Sequence, residues 1–168
     1  MISEVSGNLL QAKVQALVNP VNTKGVMGKG LALQFKQQFP SVFRIYNADA
    51  KQGEVRLGEM HVVPLKRLGD GPKWVINFPT KGHWGSPSRL TDIEAGLSDL
   101  VATVRRHDIK SLALPPLGCG LGGLDWKDVR PMIEHAFRLL PDVDVQLYTP
   151  QAPPKMSWSD ARGHLDRG

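Results

Sequence analysis

Apolar positions along the chain follow two alternating spacings. Short runs dense in β-branched and aromatic residues read as strands: Ile2–Val5, Val14–Pro20, Met60–Pro64, Trp74–Pro79, Ser111–Pro115 and Val143–Tyr148. Between them the apolar period lengthens toward that of a helix. Gly30–Phe39 is one such stretch, stopped by Pro40, and VFRIYNADAK follows it, with Ser41 placed to cap it and Gly53 beyond its end. Leu90–His107 is the longest, with Leu90, Ile93, Leu97, Leu100, Val101 and Val104 on one face. The last helix must accommodate Pro131, which lacks the N–H that an interior turn needs. With Asp128 as N-cap, Pro131 falls in the first turn, where that N–H is unpaired anyway; this predicts a helix over Val129–Leu140 and a separate turn over Asp125–Lys127. Strands alternating with helices predict an α/β layered fold with a largely parallel sheet.

The 168 residues suit one domain, expected over residues 1–150, with a mobile polar tail over residues 151–168. An apolar content of 41% with 22% charged residues argues against disorder. No apolar run reaches the length of a membrane span, and MISEVSGNLLQAK lacks the plan of a secretory signal. Cys119 is the lone cysteine, which fits a reducing, cytoplasmic setting, and the five histidines are scattered, so neither a metal nor a cofactor is expected. A net charge of +5 leans toward an anionic partner, a class that includes nucleic acid and phosphorylated ligands.

The chemistry concentrates in three segments that run strand, then a turn rich in Gly or Asn, then helix: VSGNLL (5–10), LVNPVNTKGVMGKGLALQF (17–35) and LPPLGCGLGGLDW (114–126). In parallel α/β sheets such turns gather at the carboxyl ends of the strands, where ligands bind. Helix N-termini and bare backbone N–H groups there favour phosphate. No GxxxxGK[ST] is present, and GCGLGG comes late in the chain without the early βαβ unit of a dinucleotide site. Lys29, between two glycines at a helix start, fits either a phosphate contact or a solvated lysine.

GNLL, ALVNPVNTKGVMGKGLALQFKQQFP, INFPTKGHWGSPS and ALPPLGCGLGGLDW, in this order, resemble the macrodomains, an ADP-ribose-binding family with a three-layer α/β/α fold and a mixed, largely parallel sheet. Within them, VNTKGVMGKGLALQFK with LGCGLGGLDW is similar to the DarG-type DNA ADP-ribosyl glycohydrolases, antitoxins that remove ADP-ribose from thymidine bases in single-stranded DNA. The resemblance implies ADP-ribose as ligand and product, modified single-stranded DNA as substrate, and a cognate DNA ADP-ribosyltransferase toxin as a possible partner. It places adenine at Gly7, Asn8 and Leu9, although Asn8 stands where many macrodomains have Asp and is also suited to cap a helix. It places the diphosphate and distal ribose among Val21, Thr23, Gly28, Lys29, Gly30 and Thr80, and along the loop Pro116, Leu117, Gly118, Cys119, Gly120, Leu121, Gly122, Gly123 and Leu124.

By the same resemblance Lys81 and Asn22 are the catalytic residues, Asn22 meeting the distal ribose, with an ordinary turn-forming Asn as the plainer alternative. Lys81 would attack the ribose C1″ after losing its proton, or act as a fixed positive charge; the residues leave both open. Protein-directed relatives carry an acid where this chain has Gly122, and a thymine imide, a better leaving group than an alkoxide, needs such an acid less. Cys119 has no histidine near it in sequence and reads as a small packed residue rather than a nucleophile. Trp84 and Arg89 are the expected DNA contacts, and Lys66, Arg67 and Lys73 are further candidates for phosphate. Hydrolysis of ADP-ribosylated protein or O-acetyl-ADP-ribose, and a reader without turnover, are the competing readings.

Overall fold

The structure, a computed structural model, describes residues 1–67 and 69–150; the expected tail lies outside the described residues. The chain runs β1 (Ile2–Val5), a 3-10 turn (Leu9–Gln11), β2 (Ala16–Asn22), α1 (Gly30–Gln38), α2 (Pro40–Lys51), β3 (His61–Pro64), β4 (Trp74–Lys81), α3 (Leu90–Arg106), β5 (Ser111–Leu114), α4 (Trp126–Phe137) and β6 (Asp144–Tyr148). The six strands form one sheet in the order β1-β6-β5-β2-β4-β3. Every neighbouring pair is parallel except β3 with β4.

Alternation along the central strands divides the apolar side chains between two helical layers. Ala16, Val18, Ile76 and Phe78 pack with Ile93, Leu97 and Leu100 of α3 and with Val129, Ile133 and Phe137 of α4. Leu17, Val75 and Ala113 point the other way, onto Phe35 of α1, Phe39, Val42 of α2 and the 3-10 turn at Leu9 and Leu10. The expected three-layer α/β/α architecture follows. Among the described residues no helix is long and apolar enough to cross a membrane.

Two helix starts differ from the sequence reading. Helix α2 begins at Pro40, with Phe39 rather than Ser41 as N-cap. Proline's fixed φ suits a first helical position, where no N–H partner is needed. Helix α4 begins at Trp126: the Asp125 carboxylate accepts from the Lys127 N–H at 3.0 Å, a role expected of Asp128. Pro131 therefore sits inside α4, and the carbonyl it deprives, that of Lys127, lies on the exposed face where water can satisfy it.

Strands β2 and β4 run past Pro20 and Pro79, which were expected to end them. Pairing of β2 with β5 stops at Leu17, and pairing of β4 with β3 stops at Asn77. Each proline thus lies where one side of its strand has lost its ladder, so the missing N–H interrupts no sheet there.

Helix α3 approaches β4 through Gly96, where an added Cβ would stand 2.5 Å from Cε1 of the buried Phe78 ring. Alanine gains about 1 kcal/mol over glycine in an open helix. Here Gly96→Ala instead overpacks the core, and urea unfolding should show a net loss of about 1–3 kcal/mol.

Candidate active site

Beyond Leu17 and Ala113 strands β2 and β5 diverge, and a cleft of about 640 Å³ opens between their carboxyl ends, within the usual range for a small-molecule site. Its floor is built by the last turns of β2 and β4. Val21 pairs with Pro79, but Asn22 pairs with Lys81, so β4 carries one extra residue, Thr80, as a bulge. Bulges re-aim the side chains that follow them. This one brings Lys81 level with Asn22, and both line the cleft. No ion pair among the described residues involves Lys81.

Asn22 is heavily committed. Its Nδ2 donates to the Val26 carbonyl at 2.8 Å, and its Oδ1 accepts from the Lys24 N–H at 3.0 Å and the Val26 N–H at 3.3 Å. The turn-forming role is therefore present. One hydrogen of the amide nitrogen stays unassigned by these bonds and is what Asn22 can offer a ligand. Beneath it, the fully buried Tyr46 of α2 donates to the Asn22 carbonyl at 2.7 Å, with Asn22 Oδ1 at 3.0 Å. Burial holds the Tyr46 phenol well above its ordinary value, so it remains a donor.

The second wall is the N-terminus of α1. Lys29 occupies the N-cap without a side-chain cap bond, and the first helical bond runs from the Leu33 N–H to the Lys29 carbonyl. The preceding N–H groups, at Gly30, Leu31 and Ala32, edge the cleft, which makes this a natural anion site. The third wall is the glycine loop after β5. Gly118 has φ +73°, and a Cβ there would also meet Leu124 Cδ1 at 2.7 Å.

Gly122 has a different reason from the one its neighbourhood suggested. A Cβ on it would collide with the Ser88 hydroxyl and lie 2.5 Å from the Gly118 carbonyl, so it points under the loop and away from ligand space. Ser88, itself buried, donates its backbone N–H to the Gly122 carbonyl at 3.0 Å. Gly120, by contrast, has nothing within 4 Å of an added Cβ.

Charge in the cleft has one sign. Among the described residues Lys29 and Lys81 are its charged lining residues, and no carboxylate lines it. Asp125, the acid next along the chain, is spent on capping α4. Cys119 lies under the loop, its Sγ 3.5 Å from the Leu117 carbonyl; burial first, then Asp125 and Asp128, pushes the thiol up to about 11. It is a protonated thiol at neutral pH, as the packed-residue reading expected. Among the described residues no three His, Cys, Asp or Glu side chains gather as a metal site.

A Macro domain family model matches residues 18–133. The chain belongs to the macrodomain family. It is 55% identical over 150 residues to the DNA ADP-ribosyl glycohydrolase of Mycobacterium tuberculosis, a match spanning 89% of this chain and 42% of that protein. It superposes on the macrodomain of Mycobacterium tuberculosis DarG with a TM-score of 0.88 at 54% identity, over 90% of this chain and 99% of that one. It also matches Thermosipho africanus DarTG in complex with ADP-ribose, TM-score 0.84 at 37% identity, over 91% of this chain and 43% of that one. The chain thus spans less than half the length of the curated relatives it matches first.

Within this macrodomain the expected site residues divide into three groups. Val21, Asn22, Gly28, Lys29, Gly30, Thr80, Lys81, Trp84, Pro116, Gly118, Gly120, Leu121 and Gly122 line the one cleft. Thr23, Leu117, Cys119, Gly123 and Leu124 do not; Thr23 instead ties the cleft loops together, its Oγ1 donating to the Gly82 carbonyl at 2.8 Å. Gly7, Asn8 and Leu9 follow β1 at the same end of the sheet but outside the cleft. Asn8 Oδ1 accepts from the Leu10 N–H at 3.0 Å, so the cap role holds, with the amide N–H groups left for other partners.

Arg89 is off the cleft and paired to Asp92 at 3.0 Å. Lys66, Arg67 and Lys73 belong to the loop before β4, where the Lys73 N–H bonds to the Gln15 carbonyl ahead of β2. They sit at the opposite end of the sheet from the cleft, a strand length of roughly 20 Å away, and are not placed to hold a strand entering it. The sequence reading missed Tyr46 and Ser88. A tyrosine on the buried face of a helix needs a partner for its hydroxyl, and that was the available signal for the first.

Two variants test this scaffold by chemical denaturation. Tyr46→Phe leaves Asn22 without its buried donor and should cost about 1 kcal/mol. Gly122→Ala should cost about 1–3 kcal/mol by forcing the loop off Ser88, whereas Gly120→Ala should cost little.

Proposed function

We propose that this macrodomain binds ADP-ribose in the cleft and hydrolyses the N-glycosidic bond between the distal ribose and a thymine of single-stranded DNA. The observation that carries the reading is Lys81 standing level with Asn22 in a cleft that no carboxylate of the described residues lines. The names of the Mycobacterium tuberculosis relative and of the Thermosipho africanus complex support both the activity and the ligand. The α1 N-terminus and Lys29 suit the diphosphate, the glycine loop wraps the ligand from the other side, and Asn22 faces the distal ribose.

With no acid among the described residues of the cleft to protonate a departing oxygen, a leaving group that carries its own charge well is favoured. A thymine imide does so; the alkoxide of a serine ester does not. In the covalent version, the Lys81 amine, once deprotonated, forms a bond to C1″ as the C1″–N bond breaks. The electron pair leaves on the thymine nitrogen, which takes a proton, and water then releases ADP-ribose and regenerates the amine. In the electrostatic version, the Lys81 ammonium stabilises the departing imide while water attacks. The relation to a DarTG protein makes a DNA ADP-ribosyltransferase toxin the proposed functional counterpart.

Release of ADP-ribose from a modified single-stranded oligonucleotide tests the reading. Lys81→Ala should lower turnover by about 1000-fold or more while ADP-ribose affinity, measured by calorimetry, stays within about threefold. Turnover by Lys81→Ala near the wild-type rate, or wild-type turnover on protein esters alone, would overturn it. Cys119→Ser should turn over normally. Gly120→Val adds a side chain to open ligand space, and at about 1–3 kcal/mol of overpacking should weaken ADP-ribose binding about 10-fold or more.

A further inference from the structure

The loop after Lys81, GHWGSPS, carries an arrangement that holding ADP-ribose does not require. Trp84 is 54% exposed and edges the cleft. One face of its ring is covered by His83, with ring centroids 3.7 Å apart and the planes at 30°. His83 is fixed in turn: its Nδ1 accepts from the Gly85 N–H at 2.9 Å, and the Ser86 N–H returns to its carbonyl at 3.0 Å. At the base of the loop the Gly82 carbonyl accepts from both the N–H and the hydroxyl of Thr23. The loop is therefore a braced mount that presents the open face of an indole beside the cleft mouth. Across the cleft Leu121 is 68% exposed, and Val26 adds a third exposed apolar side chain at 36%.

We infer that the His83–Trp84 stack is a platform for a nucleobase of a single-stranded nucleic acid, flanking the nucleotide whose base enters the cleft. The inference rests on the reading under Proposed function and adds to it a positioning residue, His83. An open aromatic face is matched by the flat apolar face of any base. The charge nearby favours the same partner: among the described residues Lys29 and Lys81 are the charged residues of the cleft, which suits an anionic chain and gives an apolar peptide nothing. His83 acts through Trp84. Its ring holds the indole in one orientation before the strand arrives, which lowers the ordering cost of binding.

The test is binding of an unmodified, fluorescein-labelled oligothymidylate by anisotropy at fixed salt, which needs no turnover. Trp84→Ala should weaken binding about 10-fold. His83→Ala should weaken it by a smaller factor, about threefold, with ADP-ribose affinity unchanged, and His83→Phe, which keeps a ring under the indole, should restore it. The oligonucleotide should also shift the Trp84 emission of the wild type, and less so that of His83→Ala.

Oligonucleotide affinity unmoved by Trp84→Ala overturns the platform, as does wild-type protein that does not bind the oligonucleotide. His83→Phe remaining as weak as His83→Ala overturns the stacking role of His83. Binding with these dependences, but without ADP-ribose release from modified DNA, sinks the proposed hydrolysis and leaves the platform standing.

Discussion

The molecule depends on a sheet that cannot stay closed. Strands β2 and β5 pair over Ala16 and Leu17 and then part. Prolines lie just beyond the parting: Pro20 has no N–H to give on β2, and Pro115 and Pro116 follow directly on the last residue of β5. A parallel ladder consumes a donor at each step, so three missing donors within a few residues of the same junction make further pairing unfavourable. The cleft is the space this leaves; Asn22 stands on the strand that the parting frees, and Lys81 stands beside it on β4.

The opened end is held by hydrogen bonds between loops as well as by the apolar cluster of Val21, Met27, Tyr46 and Val55. Tyr46 holds the Asn22 turn from below, Thr23 holds Gly82, and Ser88 holds the glycine loop through Gly122. Each bond links segments far apart in sequence and ties an edge of the cleft to its support. The ligand surface is thus preformed, and the ordering cost of binding falls mainly on the ligand. Glycine serves two distinct ends in the same loop: Gly122 lets the loop close on Ser88, whereas Gly120 leaves room on the side where a ligand lies.

Much of this was legible in the order of residues. Strand and helix patterns placed every element of the sheet and all four helices, because a helix that buries one face shows its period and a central strand buried on both shows as a short continuous apolar run. Helix starts were less legible. Ser41 and Asp128 are good caps in isolation, and they lost to Pro40 and Asp125, whose advantage lies in how the chain enters the helix. The bulge that sets Lys81 opposite Asn22 has no local signature, since it is a relation of register between strands more than fifty residues apart. Ser88 was invisible for the same reason, whereas Tyr46 carried a signal in its hydroxyl on a buried helix face. The lysines of the loop before β4 were misplaced because composition gives a charge without saying at which end of the sheet it stands.

The charge pattern of the cleft bears on mechanism more than its shape does. A carboxylate beside Lys81 would occupy its side chain in an ion pair. In this structure Asp125 is drawn off to the α4 N-terminus, Asp92 to Arg89, and Asp49 to His61 at 2.7 Å. Lys81 therefore enters no ion pair among the described residues and is left to meet what enters the cleft. The aromatic rim and the lysine are then linked by geometry: Trp84 and Lys81 line the same cleft, so whatever stacks on the one also covers the space the other faces.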